Sequence, residues 1–413
     1  MLFFFKSQYI FSKDKRNAST QPILTHSGAK CQVFLVDISQ SGDYNNVKIS
    51  CKKKKRGKLM RKYYIDNIRW ITVVLVVIYH VIFLYNGVAP DLGVGPFTTP
   101  QYQDAIQYIL YPWFMILLFL IAGMCSRYYL EHHSIREFVR SRTRKLLVPS
   151  TLGILLFGWI QGYVSMSISD SFSTIPDTVP RPVLFFIMDL SGTSVLWFIQ
   201  MLWFFSMILA LVRKHEKGSL YAFCGKANIV AVLLLVIPVW LSGMILNTPI
   251  ISVYRFGIYG FVFFLGYFLF AHEEIINRIS KYSIPLIAAA IILGIVYLVT
   301  HFGDNYAVMP TVNCVPAVAY AWAACLAILG GMKKWGDKTS PFATFMSGRS
   351  FGLYVFHYLA LSAMAYVLHK YTNLPALPTY LLTGVAAFAG GLLLYELVRR
   401  IPVVRFCLLG IKK

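Results

Sequence analysis

Carboxylates are scarce in this chain of 413 residues: 17 Asp and Glu stand against 39 Lys and Arg, for a formal net charge of +22. No two of them fall together inside its apolar runs, so acid–base work by a carboxylate pair has no seat there. CxxC pairing is missing too. Cys31, Cys51, Cys125, Cys224, Cys314, Cys325 and Cys407 are scattered, and four lie in or beside apolar runs, which argues against a disulfide framework or zinc site and leaves them as packing residues. The chain has no Walker loop, no GxSxG elbow and no HExxH. Nucleotide hydrolysis, serine-hydrolase chemistry and metal catalysis therefore have no supporting residues, and no metal is expected. Long polar stretches are absent after residue 65, so no soluble domain of ordinary size fits there.

What is present is hydrocarbon. Hydrophobic residues make up 57% of the chain, in runs such as "IVAVLLLVIPVWLSGMIL" and "SIPLIAAAIILGIVYLVTHF". Each approaches the roughly 20 residues that cross a bilayer as a helix. The fold class is an all-α, polytopic membrane bundle. Ten spans are expected, at about 66–88, 107–129, 147–168, 194–212, 228–246, 253–271, 283–301, 312–331, 350–369 and 378–398. An even number puts both termini on one side. With a cytoplasmic N-terminus, the inner loops and C-terminal tail after Arg69 hold 21 Lys and Arg, and the outer loops hold three: Arg181, Arg255 and Lys370. That asymmetry obeys the positive-inside rule, so the basic excess reads as topology rather than as affinity for nucleic acid. In the longest outer loop, about 169–193, "VLFFIM" either dips back toward the membrane or belongs to an inert connector.

Residues 1–59 do not conform to the rest. They contain no span and no signal-peptide order of basic, apolar and small residues. The run "CKKKKRGKLMRKYYIDNIRW" has three readings: a lipid-binding polybasic segment, a topogenic cluster, or the product of a start placed too far upstream. The third is favoured, because Lys-Lys-Arg-Gly-Lys can be encoded by an adenine-rich stretch containing AGGA where a ribosome-binding site would precede Met60. Removing residues 1–59 takes away 12 Lys and Arg and 3 Asp and Glu, leaving +13, and the topology is still obeyed.

Ionisable groups inside a span are costly, by roughly 2.5 to 3.5 kcal/mol at its centre. The first span, "IDNIRWITVVLVVIYHV", carries Arg69 near one end and His80 deep inside. Eleven residues at 100° each place them on one helical face, about 16 Å apart along the axis. Singly, Arg69 reads as well as a snorkelling or topogenic residue, and His80 as a hydrogen-bonded packing residue. In "SIREFVRSRTRKLLVPS", Arg136, Arg140, Arg142, Arg144 and Lys145 precede the third span, where guanidinium forks suit phosphate and where a positive-inside loop would also place them. The fourth span opens with Trp197 and Gln200. In "SGRSFGLYVFHYLA", Ser350, Tyr354 and His357 share one face of the ninth span, as packing or as part of a polar site. Glu396, close to Arg399 and Arg400, reads as an ion-pairing anchor.

In order, "IDNIRWITVVLVVIYH", "LFLIAGMCS", "RSRTRKLLVP", "LWFIQMLWF", "FFLGYFLF" and "GRSFGLYVFH" resemble the membrane-bound acyltransferase-3 family, from about residue 63 to the end. Arg69 and His80 match its Arg, ten residues, His pattern, and Arg142 and Arg144 match its Arg-x-Arg ahead of a proline. The resemblance implies a ten-helix acyltransferase domain over 60–413, in a bacterial inner membrane. It would take acetyl, succinyl or a similar group from a cytoplasmic acyl-coenzyme A to a hydroxyl of a carbohydrate or glycolipid acceptor at the outer face. It further implies that His80 is catalytic and that Arg69, Arg142 and Arg144 serve the donor. His80 would act as general base on the acceptor hydroxyl or attack the thioester to give a transient acyl-histidine, and the shared face of the ninth span makes His357, Tyr354 and Ser350 additional catalytic candidates, as oxyanion partners. "YIDNIRW" is closest to the branch that modifies periplasmic glucans, and the chain resembles the stand-alone form. The alternative is a secondary transporter of a small polar or anionic solute, but Pro149 and Pro238 have no partners at a constant offset, as paired interrupted spans would require.

Overall fold

The computed structural model describes residues 61–89, 93–176, 178–247 and 253–412. The basic run ahead of Met60, the proposed start at Met60, Cys31 and Cys51 lie outside the described residues. Among those described, the fold is helical, with one isolated bridge between Asn247 and Arg255.

Two helices form the middle of the bundle, α1 (Tyr63–Phe83) and α2 (Ala105–Leu130). Every residue of α2 from Trp113 to Ser126 is buried. A helix that is apolar on all sides finds its place where neighbours cover all sides. A short helix α3 (Ile135–Arg142) begins with a capping box between Ser134 and Glu137, passes through a π-helical turn at Thr143–Leu147, and runs on as α4 (Val148–Ile168). There follow α5 (Arg181–Ser191), α6 (Trp197–His215), α7 (Ser219–Cys224), α8 (Ile229–Leu234), α9 (Val236–Ser242) and α10 (Phe256–Leu265). The remainder is α11 (Glu273–Lys281), α12 (Ser283–His301), α13 (Val315–Trp335), α14 (Pro341–Tyr371), α15 (Ala376–Val385), α16 (Gly391–Val398) and α17 (Pro402–Leu409).

Among the described residues, eight helical segments are long and apolar enough to cross a membrane: 63–83, 102–130, 135–168, 194–215, 283–301, 315–335, 341–371 and 376–398. Each falls on one of the expected spans, and the chain is a multi-pass membrane protein. The other two expected spans are corrected. The fifth is Ile229–Ser242, shorter than a bilayer and interrupted at Leu235. Pro238 has no N–H to offer the Leu234 carbonyl, so the ladder breaks there. The sixth is Phe256–Phe270, which ends at a 97° bend before Glu273 and reaches spanning length only together with α11. Beyond the bend, α11 buries Ile275, Ile276 and Ile279 while carrying Glu273, Glu274, Arg278 and Lys281, a composition suited to an interface. The count is thus eight, or nine with the bent pair taken as one span.

Glycine sets two close helix crossings. A Cβ on Gly123 would stand 1.9 Å from the Phe263 carbonyl oxygen, so α2 and α10 touch backbone to backbone. A Cβ on Gly162 would stand 1.7 Å from the Met188 carbonyl oxygen, which locks α5 onto α4. The segment containing "VLFFIM" is the helix α5, packed against α4. Phe185, Phe186 and Leu190 face outward from α5, and Asp189 faces in.

Candidate active site

The last turn of α1 meets the middle of α14 at two histidines. His80 Nδ1 lies 2.8 Å from the Val76 carbonyl oxygen and 3.2 Å from His357 Nε2. His357 Nδ1 lies 2.8 Å from the carbonyl of Tyr354 and 3.1 Å from that of Leu353. Carbonyl oxygens only accept, so each Nδ1 must carry its ring's proton when the ring is neutral. His357 Nε2 is then an acceptor for the His80 Nδ1–H. By elimination, His80 Nε2 carries a lone pair, and it has no hydrogen-bond partner among the described residues. His357 is fully buried, while His80 keeps partial exposure. Gly391 on α16 abuts the His357 backbone, since a Cβ there would lie 3.2 Å from His357 Cα, and so backs α14 at this point.

Aromatic rings surround the pair. Tyr79, Tyr358 and Phe83 have ring centroids 5.1, 5.2 and 6.3 Å from that of His80. Tyr79 and Tyr306 share a hydroxyl–hydroxyl contact of 3.1 Å. Tyr354 is buried one turn from His357, but its hydroxyl donates to the Val195 carbonyl and is engaged there. Ser350 is buried two turns away on the same helix and bonds the Ser347 carbonyl. Gln200 bridges α4 to the α10 approach: its Nε2 donates to the Ser150 carbonyl, and its Oε1 accepts from the Tyr254 hydroxyl at 2.6 Å.

At the other end of α1 the chemistry is ionic. Arg69 is buried and its Nη1 lies 3.3 Å from Asp66 Oδ1, while Asp66 Oδ2 accepts from Arg61 Nε at 2.7 Å. Arg142 is also buried. It donates from Nη2 to Ser126 Oγ at 3.0 Å, lies over the Phe138 ring, and is close enough to Arg69 to feel its charge. Arg144 is half-buried with its Nε unpartnered, and with Arg142 it acts on the Tyr129 hydroxyl. The structure thus brings Arg69 and Arg142 together with Arg144 near, whereas Arg136 and Arg140 are exposed. Lys62 and Lys333 both pair with Glu273, and Lys333 also pairs with Asp337. Glu396 pairs with Arg399, as its position suggested, and with Arg349 of α14.

Sequence reasoning missed several residues. Asp66 was legible from its i, i+3 spacing to Arg69. Tyr79 and Tyr358 carried no signal, because tyrosines at helical spacing read as packing. Asp189 reads as a loop residue, yet its carboxylate is buried beside Ser150, Thr151, Thr193 and Gln200 around a cavity of about 230 Å³. Arg255 reads as an outer-loop cation and is 5% exposed.

Chemically, a neutral histidine with its tautomer held by a second histidine can take a proton from a hydroxyl, and buried arginines can hold phosphates. No curated protein and no solved structure matches the chain. The acyltransferase domain family Acyl_transf_3 matches residues 62–396, which include both the histidine pair and the arginine cluster, and the chain belongs to that acyltransferase family.

Proposed function

We propose that this acyltransferase takes an acyl group from an acyl-coenzyme A bound at the Arg69 end and delivers it to a hydroxyl of a carbohydrate or glycolipid acceptor. The acceptor meets His80 from the opposite end, within the lipid of a bacterial inner membrane. The observation that carries the reading is the 3.2 Å contact between His80 Nδ1 and His357 Nε2, with both Nδ1 atoms committed to backbone carbonyls. His80 Nε2 takes the acceptor's hydroxyl proton as its oxygen attacks the thioester carbonyl carbon. The C–S bond breaks, and the coenzyme thiolate leaves with the proton that His80 gives up. His357 acts as a positioning residue: its Nε2 accepts from the Nδ1–H, holds the tautomer and supports the imidazolium that forms.

Arg142, Arg144 and Arg69 are suited to the phosphates of the coenzyme head. The eleven-residue step within one unbroken α1, about 16 Å, is on the order of an extended pantetheine arm. Tyr354, whose hydroxyl is engaged, orders the α14–α6 contact beside His357. Thioester consumption by protein in liposomes, with acetyl- and succinyl-coenzyme A as donors, tests the reading, together with mass spectrometry of surface glycans from cells with and without the protein. His80→Ala should remain inserted and folded but lose transfer. Failure of the purified protein to bind either donor, together with full cellular function of His80→Ala, would overturn it.

A further inference from the structure

We propose that Arg255 binds an anionic group carried by the substrate, a carboxylate or a phosphate, on the aromatic wall that faces His80; the proposal rests on the acyl-transfer reading above. Arg255 directly precedes α10 and is almost fully buried. Its Nη2 donates to Asn313 Oδ1 at 3.0 Å, and its Nε has no hydrogen-bond partner among the described residues. Asn313 is itself oriented, donating from Nδ2 to the Trp240 carbonyl while its own carbonyl accepts from Trp240 Nε1. The amide thus aims the guanidinium without neutralising it. No carboxylate lies within ion-pair distance of Arg255 among the described residues. A buried guanidinium facing only uncharged partners is costly unless a ligand supplies the counter-charge, and its planar fork matches carboxylate and phosphate.

Two chains of rings join it to the histidine pair. Tyr259 lies one turn on from Arg255, its amide N–H donating to the Arg255 carbonyl at 3.2 Å, and both Tyr259 and Tyr111 lie within reach of the guanidinium's charge. Tyr111 lies 5.9 Å from Tyr79, and Tyr79 lies 5.1 Å from His80. On the other side Tyr259 lies 5.8 Å from Trp197, which borders Phe198, and Phe198 borders Tyr354 one turn from His357. Packed aromatic rings therefore run from the surroundings of the guanidinium to those of the histidine pair. The anion can be a free carboxylate on a dicarboxylic acyl group or a charged substituent of the acceptor.

The test uses the full chain in liposomes, with acetyl- or succinyl-coenzyme A as donor and a neutral glucose oligomer or its glucuronate-bearing counterpart as acceptor. Arg255→Gln should lower coenzyme release on the order of 30-fold or more for combinations that carry the recognised anion, as expected for a buried charge pair, and leave the uncharged combination unchanged. Loss confined to succinyl-coenzyme A assigns the acyl group, and loss confined to glucuronate assigns the acceptor. Equal loss in all four combinations, or no loss, overturns the proposal. Asn313→Asp should reproduce the selective loss while keeping or raising the thermal midpoint, because it gives Arg255 an internal carboxylate; full use of the anion by Asn313→Asp also overturns it. If no combination turns over in the native chain, the acyl-transfer reading fails. The Arg255 assignment is then decided by whether succinate or inorganic phosphate raises the thermal midpoint of the native chain and not of Arg255→Gln.

Discussion

The two ends of α1 solve the problem of buried polarity in opposite ways. Around Arg69, cations meet carboxylates: Arg61, Asp66 and Arg69 form one group, and Lys62, Lys333, Glu273 and Asp337 another. Around His80, polarity is carried by neutral rings, hydroxyls and backbone carbonyls, and the buried cation of that wall, Arg255, rests on an amide. Charge that is already balanced holds a helix end and a phosphate-sized neighbour in place. A neutral histidine shielded by aromatics keeps a lone pair available for proton transfer. One helix thereby joins an end of ion pairs to an end of aromatic rings, hydroxyls and backbone carbonyls.

The sharpest way to break this contrast is at the His80 end. His80→Ala should reduce kcat by about 10²- to 10⁴-fold with donor binding retained. His357→Ala should lower kcat less and leave the donor's KM in place, because it releases the tautomer rather than the base; single-turnover kinetics would separate the two. At the Arg69 end, Asp66→Asn leaves Arg69 and Arg61 without their shared carboxylate, and denaturation in detergent should show a loss of about 3 to 5 kcal/mol. Between the ends, Gly123→Val forces α2 off α10 and should destabilise by about 1 to 3 kcal/mol with no preference among donors. Arg142→Ala should raise the donor KM about tenfold, roughly 1.4 kcal/mol, with kcat little changed. The smallest effect belongs to Glu396→Gln, whose half-exposed pairs with Arg349 and Arg399 should be worth less than about 1 kcal/mol in thermal unfolding.

Apolar length was the most legible property. Eight spans lie where hydropathy puts them, because a helix in hydrocarbon must be long, apolar and internally hydrogen-bonded. The fifth expected span departs because Pro238 is a local feature that a window of average hydropathy smooths away. The site was legible in part. Arg69, His80 and His357 stood out because charge or imidazole in a span is rare, and Arg142 because arginines cluster ahead of the third span, but nothing in their spacing shows that His80 and His357, 277 residues apart, face each other. Tyr79, Tyr358 and Tyr111 were invisible, since one tyrosine in a span looks like another until its neighbours are known.

By itself, then, the sequence determined that this chain is a helical membrane protein of the acyltransferase family, and which few ionisable residues its spans must accommodate. Those properties follow from composition and local order, read along one dimension. The tertiary structure alone decided which polar groups are partnered: Asp66 with Arg69, His357 with His80, Tyr354 with Val195, and for Arg255 an amide where a carboxylate could have stood. Partnering is settled between helices, by glycine-sized crossings and backbone carbonyls that no spacing along the chain records, and it is partnering that separates a packing histidine from a base and a topogenic arginine from a binding site.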